Sequence, residues 1–147
     1  MNTVLFVCTG NTCRSPMAEA IARSVVDDSQ VFVASAGVMA SSGAHPSPEA
    51  IRTLEAMGIE HDGRSTPLSP DMIRKADLVL CMTRGHQQAA RALVRDDEAL
   101  CERIQLLDPD GDIPDPIGQG QAVYDSVAAR MKQLIPDRLE RFMNSAG

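Results

Sequence analysis

Val4-Leu5-Phe6-Val7-Cys8-Thr9-Gly10-Asn11-Thr12-Cys13-Arg14-Ser15-Pro16 decides how the rest of this chain reads. The apolar run Val4 to Val7 predicts a buried strand, and Pro16-Met17-Ala18-Glu19-Ala20-Ile21-Ala22 predicts a helix beginning at the proline. Between them lies a tight polar loop. A loop feeding a helix N-terminus presents unpaired backbone N–H groups and the positive end of the helix dipole, which together attract an anion.

The loop's side chains narrow the chemistry. A thiol at Cys8, facing converging N–H donors, a helix N-terminus and a guanidinium, is set up as a thiolate nucleophile. Arg14 offers a planar fork of donors that matches two oxygens of a tetrahedral oxyanion, a geometry lysine cannot supply. The pair predicts attack on phosphorus, with the phosphoryl group held by Arg14 and by the amides of Thr9, Gly10, Asn11, Thr12, Cys13 and Ser15. Nucleotide binding does not fit. A Walker loop ends in Gly-Lys-Ser or Gly-Lys-Thr, where this loop has Cys-Arg-Ser, and a dinucleotide fingerprint needs further glycines beyond Gly10.

The chain of 147 residues suits a single domain over 1–147, long enough to bury about two thirds of its unfolded surface. A net charge of −6 argues against a nucleic-acid surface, which depends on clustered Lys and Arg, and against anionic membranes. The apolar runs are short and the first strand begins within a few residues of Met1, so neither a membrane span nor a signal peptide is expected, and a cytoplasmic location is. The four cysteines form no Cys-x-x-Cys pair, and no disulfide frame, metal site or cofactor is expected.

Along the chain, apolar strand-like segments alternate with amphipathic ones: strand 3–7, helix 16–28, strand 31–35, helix 46–57, short helix 70–76, strand 78–82, helix 84–95, strand 103–107 and a helix from about 120. This alternation predicts an α/β three-layer sandwich, a parallel sheet with helices on both faces. Ligands of such sheets bind at the carboxyl ends of the strands, where Cys8 stands. Ser47-Pro48 and Ser69-Pro70 are expected helix caps. Met39, in a loop of small residues, is a candidate pocket wall or a gap-filling core residue.

Cys8-Thr9-Gly10-Asn11-Thr12-Cys13-Arg14-Ser15-Pro16-Met17-Ala18-Glu19 resembles the active-site loop of the low-molecular-weight protein phosphatases, which include tyrosine phosphatases and bacterial protein-arginine phosphatases. The likeness extends to Ser35-Ala36-Gly37, to Ala76-Asp77-Leu78-Val79-Leu80 with Met82, and to Asp115-Pro116. The resemblance implies a four-stranded sheet in the order 2-1-3-4 and hydrolysis through a cysteinyl-phosphate without a metal. It implies that Ser15, Ser35 and His61 orient Asn11, and that the aspartate of Asp115-Pro116 is the general acid. Asp112 is the rival for that role. A protein phosphatase working on phosphorylated proteins or peptides is then expected, a monomer releasing and inhibited by inorganic phosphate. Cys13 is a candidate partner for Cys8 in a reversible disulfide.

Tyrosine-specific relatives commonly carry a bulky aliphatic residue before the second loop cysteine and an aromatic after Asp-Pro. Here those positions hold Thr12 and Ile117. Thr12 resembles the arginine phosphatases, so the expected substrate is phosphoarginine, with phosphotyrosine the alternative. Arsenate reductases share Cys-x5-Arg, but they need two cysteines close together after the third strand, and the next cysteine after Cys81 is Cys101. A phosphopeptide-binding module without turnover would need neither Cys8 nor Asp115.

Overall fold

The computed structural model describes residues 1–146. Four parallel strands, β1 (Asn2–Cys8), β2 (Val31–Gly37), β3 (Leu78–Cys81) and β4 (Ile104–Leu106), form one sheet in the order β2-β1-β3-β4. The helices are α1 (Arg14–Val25), α2 (Pro48–Ala56), α3 (Pro70–Lys75), α4 (Arg84–Leu93), α5 (Glu98–Glu102) and α6 (Gln121–Ala146). The architecture and the strand order are those expected.

Successive side chains of a strand point to opposite faces, and β1 uses both. Val4, Phe6 and Cys8 pack with Met17, Ile21, Leu54 and Tyr124, under α1, α2 and α6. Leu5 and Val7 pack with Ile73, Ala90, Val94 and Ile104, under α3 and α4. Phe6 and Leu5 are almost wholly buried, each contributing about 1.5–3 kcal/mol relative to exposure. β1 is thereby fixed from both faces, and its carboxyl end, Cys8, is a rigid mount opposite Gly37 of β2.

Several boundaries differ from expectation. α1 starts at Arg14, so Pro16 lies within the first turn, where its missing N–H has no intrahelical partner to lose. It stops at Val25, because Asp27 Oδ1 accepts from both the N–H and the hydroxyl of Ser29 and closes a turn. α5 was not expected, since Arg95-Asp96-Asp97-Glu98 carries no apolar periodicity; Asp97 caps it by accepting from the Leu100 N–H. Among the described residues, no helix is long and apolar enough to cross a membrane.

Candidate active site

The loop from Cys8 to Ser15 joins β1 to α1. From Thr9 to Ser15, the backbone N–H groups bond to no protein atom among the described residues. A run of unsatisfied donors at a helix start is a built anion site, because a peptide N–H left without an acceptor is costly. Asn11 is the sole non-glycine residue with a positive φ among the described ones, at 56°. Asparagine tolerates this left-handed conformation better than most residues, and the turn it makes folds the loop back on itself.

That conformation is held by side-chain bonds. Asn11 Nδ2 donates to Ser15 Oγ at 2.8 Å and to Ser35 Oγ at 2.9 Å, while Asn11 Oδ1 accepts from the Thr66 N–H at 2.9 Å. Ser15 Oγ lies 2.9 Å from Cys8 Sγ, and Ser35 donates to Glu19 Oε1 at 2.7 Å. His61 makes no direct hydrogen bond to Asn11. Its Nδ1 lies 3.9 Å from Glu19 Oε2, beyond hydrogen-bond length, so its connection to the loop runs through Glu19 and Ser35. Burial holds the His61 pKa below its ordinary value, against the opposing pull of Glu19. The place at Asn11 Oδ1 is taken by the Thr66 amide, brought alongside because Gly37 N–H donates to Thr66 O and Leu68 N–H to Gly37 O.

Arg14 is buried, with Nη1 donating to Ile113 O at 2.9 Å and Nη2 to Thr9 Oγ1 at 3.4 Å. Asp115 Oδ2 stands 3.7 Å from Nη2, on a side chain half exposed to solvent. Asp115 Oδ1 accepts from the Ile117 N–H, a turn that fixes the carboxyl between Pro114 and Pro116. The other carboxylates of this loop have different work. Asp112 Oδ1 accepts from the Arg84 N–H at the start of α4, and Asp108 pairs with Arg130. Asp115 is thus the loop carboxylate paired with Arg14.

Thr12 is half-buried, its Oγ1 lying over Gly10, and its carbonyl accepts from Ser47 N–H. Cys13 is buried with Sγ 3.2 Å from the Tyr124 hydroxyl and 3.6 Å from Ser47 Oγ, and all four cysteines are free thiols. Met39 and Ile117 are 80% and 60% exposed. Met39 is therefore no core filler; its N–H donates to Thr9 O, which sets it at the rim of the loop. Sequence reading did not single out Glu19, Thr66 or His86. His86 Nε2 lies 2.8 Å from Thr9 Oγ1, and only the three-dimensional packing of α4 reveals it.

Gly37 gives this site its tightest clearance. A Cβ there would stand 2.5 Å from Thr9 O and 2.9 Å from Asn11 N, both backbone atoms that cannot swing aside. Gly37→Ala is expected to destabilise the fold by about 1–3 kcal/mol in denaturant titration. It is also expected to weaken inorganic-phosphate binding at least about tenfold, because the loop must move to make room.

Comparison with known proteins adds the family. The model for the low molecular weight phosphotyrosine protein phosphatases matches residues 3–145. The chain belongs to this family. Among its relatives, a protein-arginine-phosphatase of Geobacillus stearothermophilus is 40% identical over 141 residues, covering 92% of each chain. One of Bacillus subtilis is 36% identical over 136 residues, covering 90% of this chain and 91% of the relative. A low molecular weight protein-tyrosine-phosphatase of Streptomyces coelicolor is 35% identical, covering 80% of this chain and 79% of its own. Among solved structures, the YwlE arginine phosphatase from Geobacillus stearothermophilus superposes with a TM-score of 0.88 at 35% identity, covering 99% of this chain and 95% of that one. A cysteine-to-serine mutant of YwlE arginine phosphatase, with phosphorylated active site serine, superposes with a TM-score of 0.87 at 32% identity, covering 96% and 95%.

Proposed function

We propose that this phosphatase-family chain removes phosphate from phosphorylated protein side chains, with phosphoarginine the preferred one, and that Cys8, Arg14 and Asp115 are its catalytic residues. The observation that carries the reading is the run of unbonded N–H groups from Thr9 to Ser15 around Cys8, closed on one side by Arg14. The Cys8 thiolate attacks phosphorus in line with the leaving atom. The bond from phosphorus to that nitrogen or oxygen breaks, and the leaving atom takes the proton of Asp115. A water then attacks the cysteinyl-phosphate, giving its proton to Asp115 as the sulfur–phosphorus bond breaks and the thiolate returns. Arg14 and the loop amides hold the charge that develops on the phosphoryl oxygens; one such donor is worth about 2.7–4 kcal/mol. Serine phosphorylation in the YwlE mutant fits covalent chemistry at this position of the loop.

The preference rests on Thr12, a small polar side chain at the mouth of the loop, and on the absence, among the described residues, of an aromatic side chain beside it: Phe6 and Tyr124 are in the core, Phe32 lies on β2 and Phe142 on α6. A phosphotyrosine reading has its own support, since exposed Met39 and Ile117 offer apolar walls to a ring. Redox chemistry has less. Cys81 is wholly buried and its thiol is pushed up to about 12 by burial, so it makes a poor relay nucleophile. With free thiols and a cysteine nucleophile, a reducing, cytoplasmic setting is the natural one. The substrates are phosphorylated proteins or peptides, inorganic phosphate is product and inhibitor, and the chain acts as a monomer.

Side-by-side rates on phosphoarginine and phosphotyrosine peptides test the reading. The arginine peptide is expected to react faster; the reverse order would transfer the assignment to phosphotyrosine. Thr12→Ile is expected to move the ratio toward phosphotyrosine by at least about tenfold, since an added branched side chain crowds the planar guanidinium and gives a ring apolar contact. An unchanged ratio would remove Thr12 from the specificity argument.

A further inference from the structure

Arg14 works only if its guanidinium is held in one plane, and one of its two hydrogen bonds is weak by itself. Nη1 is fixed by a backbone carbonyl, that of Ile113. Nη2 leans on Thr9 Oγ1, the oxygen of a side chain free to rotate about χ1 unless something else holds it. That second holder is His86. The imidazole is buried, it projects from the first turn of α4, and Nε2 lies 2.8 Å from the same oxygen. Thr83 Oγ1 accepts from the His86 N–H, so the backbone that carries the ring is itself capped in place.

We propose that His86 is a positioning residue of the phosphatase site: its ring, with the proton on Nε2, donates to Thr9 Oγ1 and so holds the lone pair that receives Arg14 Nη2. The inference rests on the proposed phosphatase reading and adds to it a residue that does not touch the phosphoryl group. The tautomer follows from Nδ1, which is buried and bonds to no protein atom among the described residues. A proton there would be an orphaned donor, which folded proteins tolerate less readily than an under-used acceptor. Arg14, Asp112 and Asp115 are the charged groups that act on the ring. Burial, then the Arg14 charge, push its pKa down to about 4 against the opposite pull of the two aspartates, so the ring is neutral where the enzyme works. Protonation would place a second cation beside Arg14.

Inorganic phosphate, whose binding needs Arg14 but no turnover, is the direct probe. His86→Leu and Thr9→Val are each expected to weaken phosphate binding and kcat/KM about tenfold, the effect of one lost hydrogen bond. The double variant is expected to be no worse than either single one, because both remove the same prop. His86→Gln, whose amide nitrogen can stand near the place of Nε2, is expected to restore binding to within about threefold of wild type. Nitrogen-15 NMR of the wild type is expected to show His86 protonated at Nε2 alone and not titrating above about pH 5. Additive losses in the double variant, no rescue by glutamine in a chain that melts like wild type, or a proton on Nδ1 would each overturn the assignment. A wild type that binds phosphate through this prop but turns over no phosphorylated peptide would defeat the phosphatase reading and leave the prop standing.

Discussion

Cys8→Ser is expected to lower turnover roughly ten-thousand-fold or more while leaving the affinity for inorganic phosphate within about threefold of wild type. The two effects separate because different atoms carry them. In the proposed mechanism binding belongs to Arg14 and to the amides from Thr9 to Ser15, none of which the substitution touches. Turnover needs a nucleophile that is anionic when it meets phosphorus and leaves easily in the second step. A serine hydroxyl keeps its proton at neutral pH and is a far poorer leaving group. Cys8 sits at the end of a strand buried on both faces, so the change is not expected to disturb the fold, and near-wild-type melting would accompany the loss. Turnover within tenfold of wild type would remove Cys8 from the chemistry.

Asp115→Asn is expected to slow cleavage of a poorly activated leaving group by about 100-fold to 10,000-fold, and an activated aryl phosphate much less in the phosphoryl-transfer step. An amide cannot give the proton, yet its oxygen can still accept from the Ile117 N–H, so the turn around Pro114 and Pro116 survives. Phosphate affinity is expected to rise, because a negative charge 3.7 Å from Arg14 Nη2 no longer repels the incoming anion. Asp112→Asn is the control. That carboxyl accepts from the Arg84 N–H, a bond the asparagine oxygen can still accept, so the change is expected to cost less than a whole helix cap, under about 1 kcal/mol, with no dependence on the leaving group. If Asp112→Asn showed the leaving-group dependence instead, the acid would be misassigned.

The loop itself was legible in the sequence because its parts are contiguous: strand, Cys8, Gly10, Arg14, Ser15 and helix follow one another, and local chemistry alone suggests an anion. The alternation of strands and helices was legible for the same reason, since periodicity is a local property. What was not legible depends on distant pieces of chain meeting. Thr66 reaches Asn11 only because residues 66–68 run alongside Gly37, and no residue type near Thr66 announces that. The Thr66 amide bonds Asn11 Oδ1 as a backbone donor, which has no side-chain signature and so could not be anticipated. His86 was hidden inside an amphipathic helix, and Glu19 inside the run that identified α1. Asp115 was separable from Asp112 by sequence through the resemblance and its flanking prolines Pro114 and Pro116, whereas the structure distinguishes them by their different partners.

Glu19 never approaches the sulfur, yet it settles which way hydrogens face there. As a carboxylate it can only receive, so the Ser35 hydroxyl must spend its single hydrogen on it. The oxygen of Ser35 is left to receive from Asn11, whose other amide hydrogen goes to Ser15. Ser15 therefore keeps its own hydrogen for Cys8, and once the sulfur is ionised, this is the hydrogen that closes the 2.9 Å contact. A polarity imposed on one turn of a helix is in this way relayed, bond by bond, to an atom it could not influence directly.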